Sequence, residues 1–470
     1  LTKNTFNLEE KDMENSTIEV PIDATRPKTE DRRPKTEDRR PKTEDRRPKT
    51  EDRRPLWFFG FLILPFVIYT AVAYKYFQNV PYWDDFSVVL TPVNSVFATY
   101  NVGEQITTIL KPNAGHIPAI TRIISILQVK YLGGINFRGS LFAANFGWLL
   151  TAIMLIVYFR RTLSLSWLAL LPVPFLLLNI NHWESMDFIT PAWQMYWGSA
   201  FFPALFFIAV VEKRMTVAVF AFTFSLFLSS GALPLYPLAI VYCLFRKRWS
   251  DGISFAFRAA IPLLVFFFFN PPSGSVSKAP DFILMTKYIP AFMGNIVSTG
   301  TWDMTSIAWL QIPIGLIVIA LGLYMLLKSN IGDFSKLIFL YVLLLGGMAA
   351  YLRGAGFGYV VSRYALFASL AVTCIYAIYA SEIQNSSLKI KKWFLPTASI
   401  ISVLLWAHSI YICQTPLALN MEGRIKGIET YIHPEQPATQ HFLVWDVESS
   451  RPIIEEAKTW HVYDPADAKK

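Results

Sequence analysis

Between residues 56 and 412 the chain is divided into eleven apolar runs, at about 56–77, 139–159, 164–180, 192–211, 215–229, 232–245, 253–269, 305–327, 337–352, 364–381 and 394–412. A bilayer core takes roughly 20 apolar residues per helical crossing. The runs therefore predict an all-α polytopic membrane protein of about eleven transmembrane helices. Two of them, 215–229 and 232–245, are short enough to be tilted or broken pieces of one hairpin. Composition agrees: 53% of the 470 residues are hydrophobic and 16% are charged, whereas soluble domains carry about a quarter charged residues.

The charges between the runs orient them. Arg160-Arg161, Glu212-Lys213-Arg214, Arg246-Lys247-Arg248, Lys328 with Lys336, and Lys389-Lys391-Lys392 fall in alternate connections. Short basic connections mark the cytoplasmic side. The N-terminal tail is then expected inside, residues 413–470 outside, and the protein in a cell membrane. The longest outer connection is 78–138, followed by 270–304, with short outer turns at 181–191 and 353–363. The formal charge of +9 is not a nucleic-acid signal, because 15 basic and 14 acidic residues lie in 1–54 and the remaining 28 and 20 cluster between apolar runs. The expected domains are a disordered cytoplasmic tail (1–54), a membrane domain (55–412) and an extracytoplasmic C-terminal segment (413–470).

The tail holds four copies of RPKTEDR, beginning at Arg26, Arg33, Arg40 and Arg47. A period of seven suggests a coiled coil, but the unit has no apolar residue to form a seam, and its proline interrupts a helix. A solvated, disordered segment is expected. It reads as a tandem expansion, or as a basic patch for anionic lipid whose acids blunt the attraction. No cleavable signal-peptide pattern precedes it. Cys243, Cys374 and Cys413 lie in or at the ends of apolar runs without a C-x-x-C spacing, so neither a disulfide framework nor a zinc site is indicated.

Polar residues gather on the outer side. Asp84 and Asp85, in NVPYWDDFSVV, follow the first run at once. HIPAITRIISILQVKYL, 116–132, has helical apolar spacing with Arg122 and Lys130 on the other side, and predicts an interfacial amphipathic helix. His116, Glu184 in NHWESMDF, Arg353 and Arg363 complete the group. Each has a plainer explanation. The aspartates are suited to cap a helix, an interfacial arginine to snorkel, Glu184 to sit in a solvated turn, and His116 to be structural. Together on one face, they point to a polar cavity at the outer leaflet.

The first run, the acid pair directly after it, the amphipathic outer helix and some ten further spans resemble the GT-C superfamily of membrane glycosyltransferases. More closely, WDDF (83–86), NAGHIP (113–118), NHWESMDFITPAWQ (181–194), SSGALPLYPL (229–238) and VSRYALF (361–367) resemble, in that order, segments of uncharacterised bacterial members. The likeness covers 56 to about 412. The chain departs from it at NAGHIP, where relatives carry an acid and an arginine, and the tail and 413–470 lie outside it. The resemblance implies a polyprenyl-phosphate-linked sugar as donor, a glycan or lipid acceptor, and a first-loop acid as general base, here Asp84 or Asp85.

The residues suit that chemistry. A carboxylate takes the acceptor's proton as it attacks the anomeric carbon, and cations offset charge on the departing phosphate. Arg363, Arg353 and Arg122 are the candidates for the phosphate, with His116 and Glu184 beside them. Tyr82 and Trp83 suit a sugar-stacking surface or an interfacial belt. A divalent metal, Mg or Mn, has a place between the acids, although two carboxylates alone do not demand one. No Walker-type phosphate loop is present, and the inner connections are too short for a nucleotide-sugar domain. The rivals are a transporter or flippase of lipid-linked sugars, a surface-polysaccharide polymerase or ligase, and a scaffold subunit with a degenerate site. Because the repeat has no apolar face, deleting residues 26–53 is expected to leave membrane insertion and detergent melting temperature unchanged. A loss of more than a few degrees would give the repeat a structural role.

Overall fold

A chain inside a bilayer has no water to satisfy its main-chain groups, so it satisfies them within helices. The computed structural model describes residues 56–271, 282–298, 308–353, 360–386, 391–433, 443 and 447–469. The regular elements among them are all helical. Eight are long and apolar enough to cross a membrane: Phe59–Tyr76, Phe137–Thr162, Ile189–Val211, Trp249–Phe269, Leu310–Lys328, Asp333–Leu352, Ser362–Asn385 and Trp393–Ile432. The two most enclosed, Ser362–Asn385 and Ile189–Val211, are 78% and 72% buried over their apolar windows, and form the centre of the bundle. Phe59–Tyr76, Trp249–Phe269, Leu310–Lys328 and Trp393–Ile432 are at most 28% buried and present their apolar sides outward.

Three of the eleven expected spans are shorter than predicted. The 164–180 run forms only Trp167–Leu170 and Pro172–Leu177, since Pro172 and Pro174 have no amide hydrogen for a continuous helix. The 215–229 and 232–245 runs give Met215–Leu226 and Leu235–Phe245, on either side of the SGA turn at Ser230–Ala232. The flanks of each short segment are tied to other parts of the bundle. Leu163 and Ser166 bond Ser381 and Gln384, while Thr190 bonds Asp85. Val210 accepts from Arg248, whereas Phe227 accepts from Ile120 and Ser230 bonds His116.

The basic connections collect at one end. Arg246 pairs with Asp333, Arg248 reaches the Val210 carbonyl, and Tyr158 beside Arg160-Arg161 packs on Phe334 at 4.6 Å. Lys389 and the side chains of Lys391 and Lys392 lie outside the described residues, as do the repeat tail and 354–359. At the other end lies the first connection, with Phe86–Leu90, Thr91–Ala98, Val102–Leu110 and Ala119–Leu132. The Ala119–Leu132 helix reverses the expected polarity. Arg122 is buried, and Ile123, Leu127, Tyr131 and Leu132 are exposed. The guanidinium turns inward because Val88, Thr108, Ile109 and Lys111 offer it carbonyl oxygens.

Residues beyond 412 pack back onto this connection. The last long helix continues to Ile432 because Cys413, Leu417, Asn420, Arg424, Ile428 and Tyr431 form one buried face at helical spacing. Leu443 then accepts from Trp83, Ile453 from Asn94, and Val462 from Ile135. Pro55–Lys470 is accordingly one compact unit. The first connection and the C-terminal arm thus share one face, with Lys247 at the opposite end. Cysteines placed at Tyr100 and Glu456, both exposed, are expected to react with an impermeant reagent from the same side of the membrane. One at Lys247 should react only from the other. The three native cysteines are buried and supply little background. Labelling of Tyr100 and Glu456 from opposite sides would overturn this arrangement.

Candidate functional site

The segment from Leu178 to Phe188, which takes in most of the outer turn expected at 181–191, is drawn into the bundle. Its main chain makes few helical bonds, and side chains from the surrounding helices replace them. Trp148 donates to the Leu177 carbonyl, Asn145 to that of Met186, and Ser409 accepts from the Ile180 amide. Asn179 reaches Ser369, and Asn181 reaches the Ile296 carbonyl. The last contact depends on close packing of the Phe282–Met293 helix against Leu310–Lys328. A Cβ on Gly294 would stand 1.9 Å from the Gln311 carbonyl oxygen, and one on Gly315 1.7 Å from that of Pro290. His182 shares a hydrogen bond of 2.9 Å with the Tyr196 hydroxyl, between the rings of Tyr69 and Trp148.

Two carboxylates bracket this segment. Asp85 and Asp84 part company at a tight turn in which Trp83 adopts φ +46°, a conformation uncommon outside glycine. Asp84 is exposed, whereas Asp85 is 1% exposed. Oδ1 of Asp85 accepts from the Thr190 amide at 3.0 Å and the Thr190 hydroxyl at 2.8 Å, and Oδ2 from the Tyr82 amide at 3.1 Å. Asp85 makes no helix-capping bond with its side chain, contrary to the plainer expectation. Burial raises its pKa to about 6, against the opposing pull of the Thr190 and Tyr82 hydrogen bonds and the Arg424 charge. One acid faces solvent and the other is bonded inward, so the pair does not form the shared oxygen cage that Mg or Mn takes. Among the described residues no three His, Cys, Asp or Glu side chains converge on a metal position.

Asp187 is the second carboxylate. Its Oδ2 lies 3.0 Å from Arg424 Nη2 and accepts from Asn420 at 2.6 Å. Both members of the ion pair are 1% exposed. Burial raises the Asp187 pKa to about 6, and the Arg424 charge opposes the rise. Arg424 also stacks 4.2 Å over the Tyr82 ring, and its Nε and Nη1 have no hydrogen-bond partner. Tyr82 packs edge-on against Phe188 at 5.3 Å. The aromatic ring predicted as a sugar platform or belt is thus spent on a buried cation. π-helical turns follow both ends of the Asp85–Thr190 bond, at Phe86–Leu90 and Trp193–Phe201, a distortion that often accompanies functional sites.

The other predicted residues divide into two groups. Glu184 is buried rather than solvated. It accepts from the Ser362 hydroxyl at 2.7 Å and the Arg363 amide at 3.2 Å, which brings the VSRYALF segment to the site. Arg363 is half-buried, and its Nε has no partner. Arg122 and His116 are held elsewhere, Arg122 on main-chain carbonyls and His116 on Ser230. The Arg353 side chain lies outside the described residues. Sequence reasoning missed Asp187, Asn420, Arg424 and Thr190. The helical spacing of apolar and polar residues from 413 to 431 was the available signal, and it would have placed Arg424 on a buried face.

Removing one partner of a buried ion pair costs about 3–5 kcal/mol, because the other charge is left uncompensated. Asp187→Ala is therefore expected to lower the unfolding free energy in detergent by that amount. Asp187→Leu combined with Arg424→Met should recover most of the loss, as measured by denaturant or thermal melts of the purified protein.

Compared with family models, with curated proteins and with solved structures, the chain finds no match in any of the three.

Proposed function

We propose that this chain is an integral membrane glycosyltransferase. It transfers a sugar from a polyprenyl-phosphate carrier to a glycan or lipid acceptor on the extracytoplasmic face of a cell membrane. In this reading the eight long helices and the three short segments make eleven crossings, with a cytoplasmic N-terminal side and an outer C-terminal arm. The observation that carries the reading is that Tyr82 joins two buried charged groups: Arg424, with unfilled donors, stacks on its ring, and the carboxylate of Asp85 accepts from its main-chain amide. A cation with unfilled donors suits a phosphate oxygen, and a carboxylate with a pKa near 6 is a stronger base than an ordinary aspartate.

The chemistry distributes over these groups. The acceptor hydroxyl attacks the anomeric carbon, its proton passes to Asp85, and the bond from that carbon to the carrier phosphate breaks with the electron pair leaving on phosphate. A carboxylate offers about four acceptor positions, and Thr190 and Tyr82 occupy three on Asp85. One remains for the incoming hydroxyl. Asp85 lies one residue from the exposed Asp84, so the acceptor approaches from the first connection. Arg424 and Arg363 offset the phosphate charge, and Glu184 positions Arg363 through its main chain.

A flippase of lipid-linked sugars is the second reading. It is favoured by the charges held inside the bundle, since ionisable groups within a membrane commonly mark a transport path. Asp187 and Glu184 are two such buried acids.

Reconstituted protein with a polyprenyl-phosphate sugar separates the two. Asp85→Asn is expected to reduce transfer by about 100- to 10,000-fold while donor binding persists. Wild-type transfer should fall as pH drops through about 6, where Asp85 takes up its proton. Normal transfer by Asp85→Asn would remove the base assignment. Movement of lipid-linked sugar across the bilayer without transfer would establish the flippase.

A further inference from the structure

Away from the Asp85 site, an open cleft of about 710 Å³ lies where the C-terminal arm meets the turn before the second long helix. Its walls carry Arg138, Lys458 and His461, together with Asp464 and Asp467, and Leu132 forms the lip. The Ile135 amide donates to the Val462 carbonyl at 2.8 Å, so the two walls are fixed to one another.

Its level in the membrane follows from its neighbours. Arg138 is the second residue of the Phe137–Thr162 helix, and Tyr74 lies in the last turn of Leu56–Tyr76. The guanidinium sits 5.0 Å over the Tyr74 ring and donates to the Tyr74 carbonyl. Tyr74 is 68% exposed and Leu132 is 73% exposed. An arginine and an exposed tyrosine where two apolar spans end are the marks of the headgroup region. The cleft therefore opens at the depth of lipid phosphates.

Its charges restrict the occupant. Arg138 keeps a buried Nε without a partner, and Lys458 is held on this wall by Glu455 at 3.0 Å. These cations suit a phosphate. A purely anionic headgroup would also face Asp464 and Asp467, and like charges so placed repel. A neutral glycan would offer the Arg138 guanidinium no anionic acceptor. A headgroup with both signs satisfies both walls. We propose that the cleft binds a phospholipid whose headgroup carries a phosphate and a primary ammonium, with the phosphate on Arg138 and Lys458 and the ammonium on Asp464. The acyl chains descend past Leu132 and Tyr74. Such a lipid bridges the first connection and the C-terminal arm, and the assignment does not depend on the glycosyltransferase reading.

The test uses the purified full chain in detergent, titrated by native mass spectrometry with dioctanoyl-phosphatidylethanolamine, dioctanoyl-phosphatidylglycerol and free phosphoethanolamine. The ethanolamine lipid is expected to bind about tenfold more tightly than the glycerol lipid, as one charge-assisted hydrogen bond allows. Lys458→Gln should weaken both lipids about tenfold or more, and Asp464→Asn should weaken only the ethanolamine lipid. Lys458→Gln and Asp464→Asn keep size and shape, and an unchanged melting temperature without lipid shows that they remain folded. Equal affinity of the wild type for the two lipids would overturn the proposal, as would variants without effect. Free phosphoethanolamine binding as tightly as the lipid would assign the cleft to a soluble solute and overturn it equally.

Discussion

A length of main chain with few helical bonds of its own, from Leu178 to Phe188, stands inside an apolar bundle. That is tolerable only because other helices supply its hydrogen bonds. An unpaired buried amide or carbonyl costs several kcal/mol in hydrocarbon. Here Trp148, Asn145 and Ser409 provide partners, and the segment's own Asn179 and Asn181 reach out to Ser369 and the Ile296 carbonyl. These bonds join the inserted segment to the Phe137–Thr162, Ser362–Asn385 and Trp393–Ile432 helices and to Ile296, so the segment orders the helices around it. Once it is in place, Glu184 and Asp187 cannot be solvated, and each must take a partner from a distant element.

Those partners connect the ends of the sequence. Asp187 reaches Arg424, Glu184 reaches the start of the Ser362–Asn385 helix, and Asp85 reaches Thr190. Buried ion pairs are weak sources of stability compared with well-packed apolar residues. The Asp187–Arg424 pair is therefore better understood through what it holds in place. It brings a guanidinium with unfilled donors against Tyr82 and under the first connection.

The two ends of the bundle have different characters for a physical reason. At one end short connections carry arginines and lysines, with Arg246 paired to Asp333 and Arg248 to Asp251. At the other, the first connection and the C-terminal arm cover the inserted segment. Arg122 contributes to that cover by collecting main-chain carbonyls from Val88 to Lys111. An arginine that reads in sequence as a surface cation thus ties together the short helices of the first connection.

Much of the fold was legible in residue order. Run lengths determined that the chain is a helical membrane protein, and the alternation of basic connections separated its two ends, because hydrophobicity and charge act locally and do not await a partner. The acid pair and Glu184 were also marked by position alone. Tertiary structure alone decided which of them matter, because burial depends on what lies across the bundle. Asp84 and Asp85 are identical neighbours in sequence, yet the left-handed turn at Trp83 exposes one and buries the other. The short 215–229 and 232–245 runs were marked by their length, but the 164–180 run could not be told from a full-length span, since hydropathy does not register the prolines that divide it. Arg424 lay in a segment read as an outer appendage. Its helical spacing was visible, but its role exists only through contact with Asp187 and Tyr82, 237 and 342 positions away in the chain.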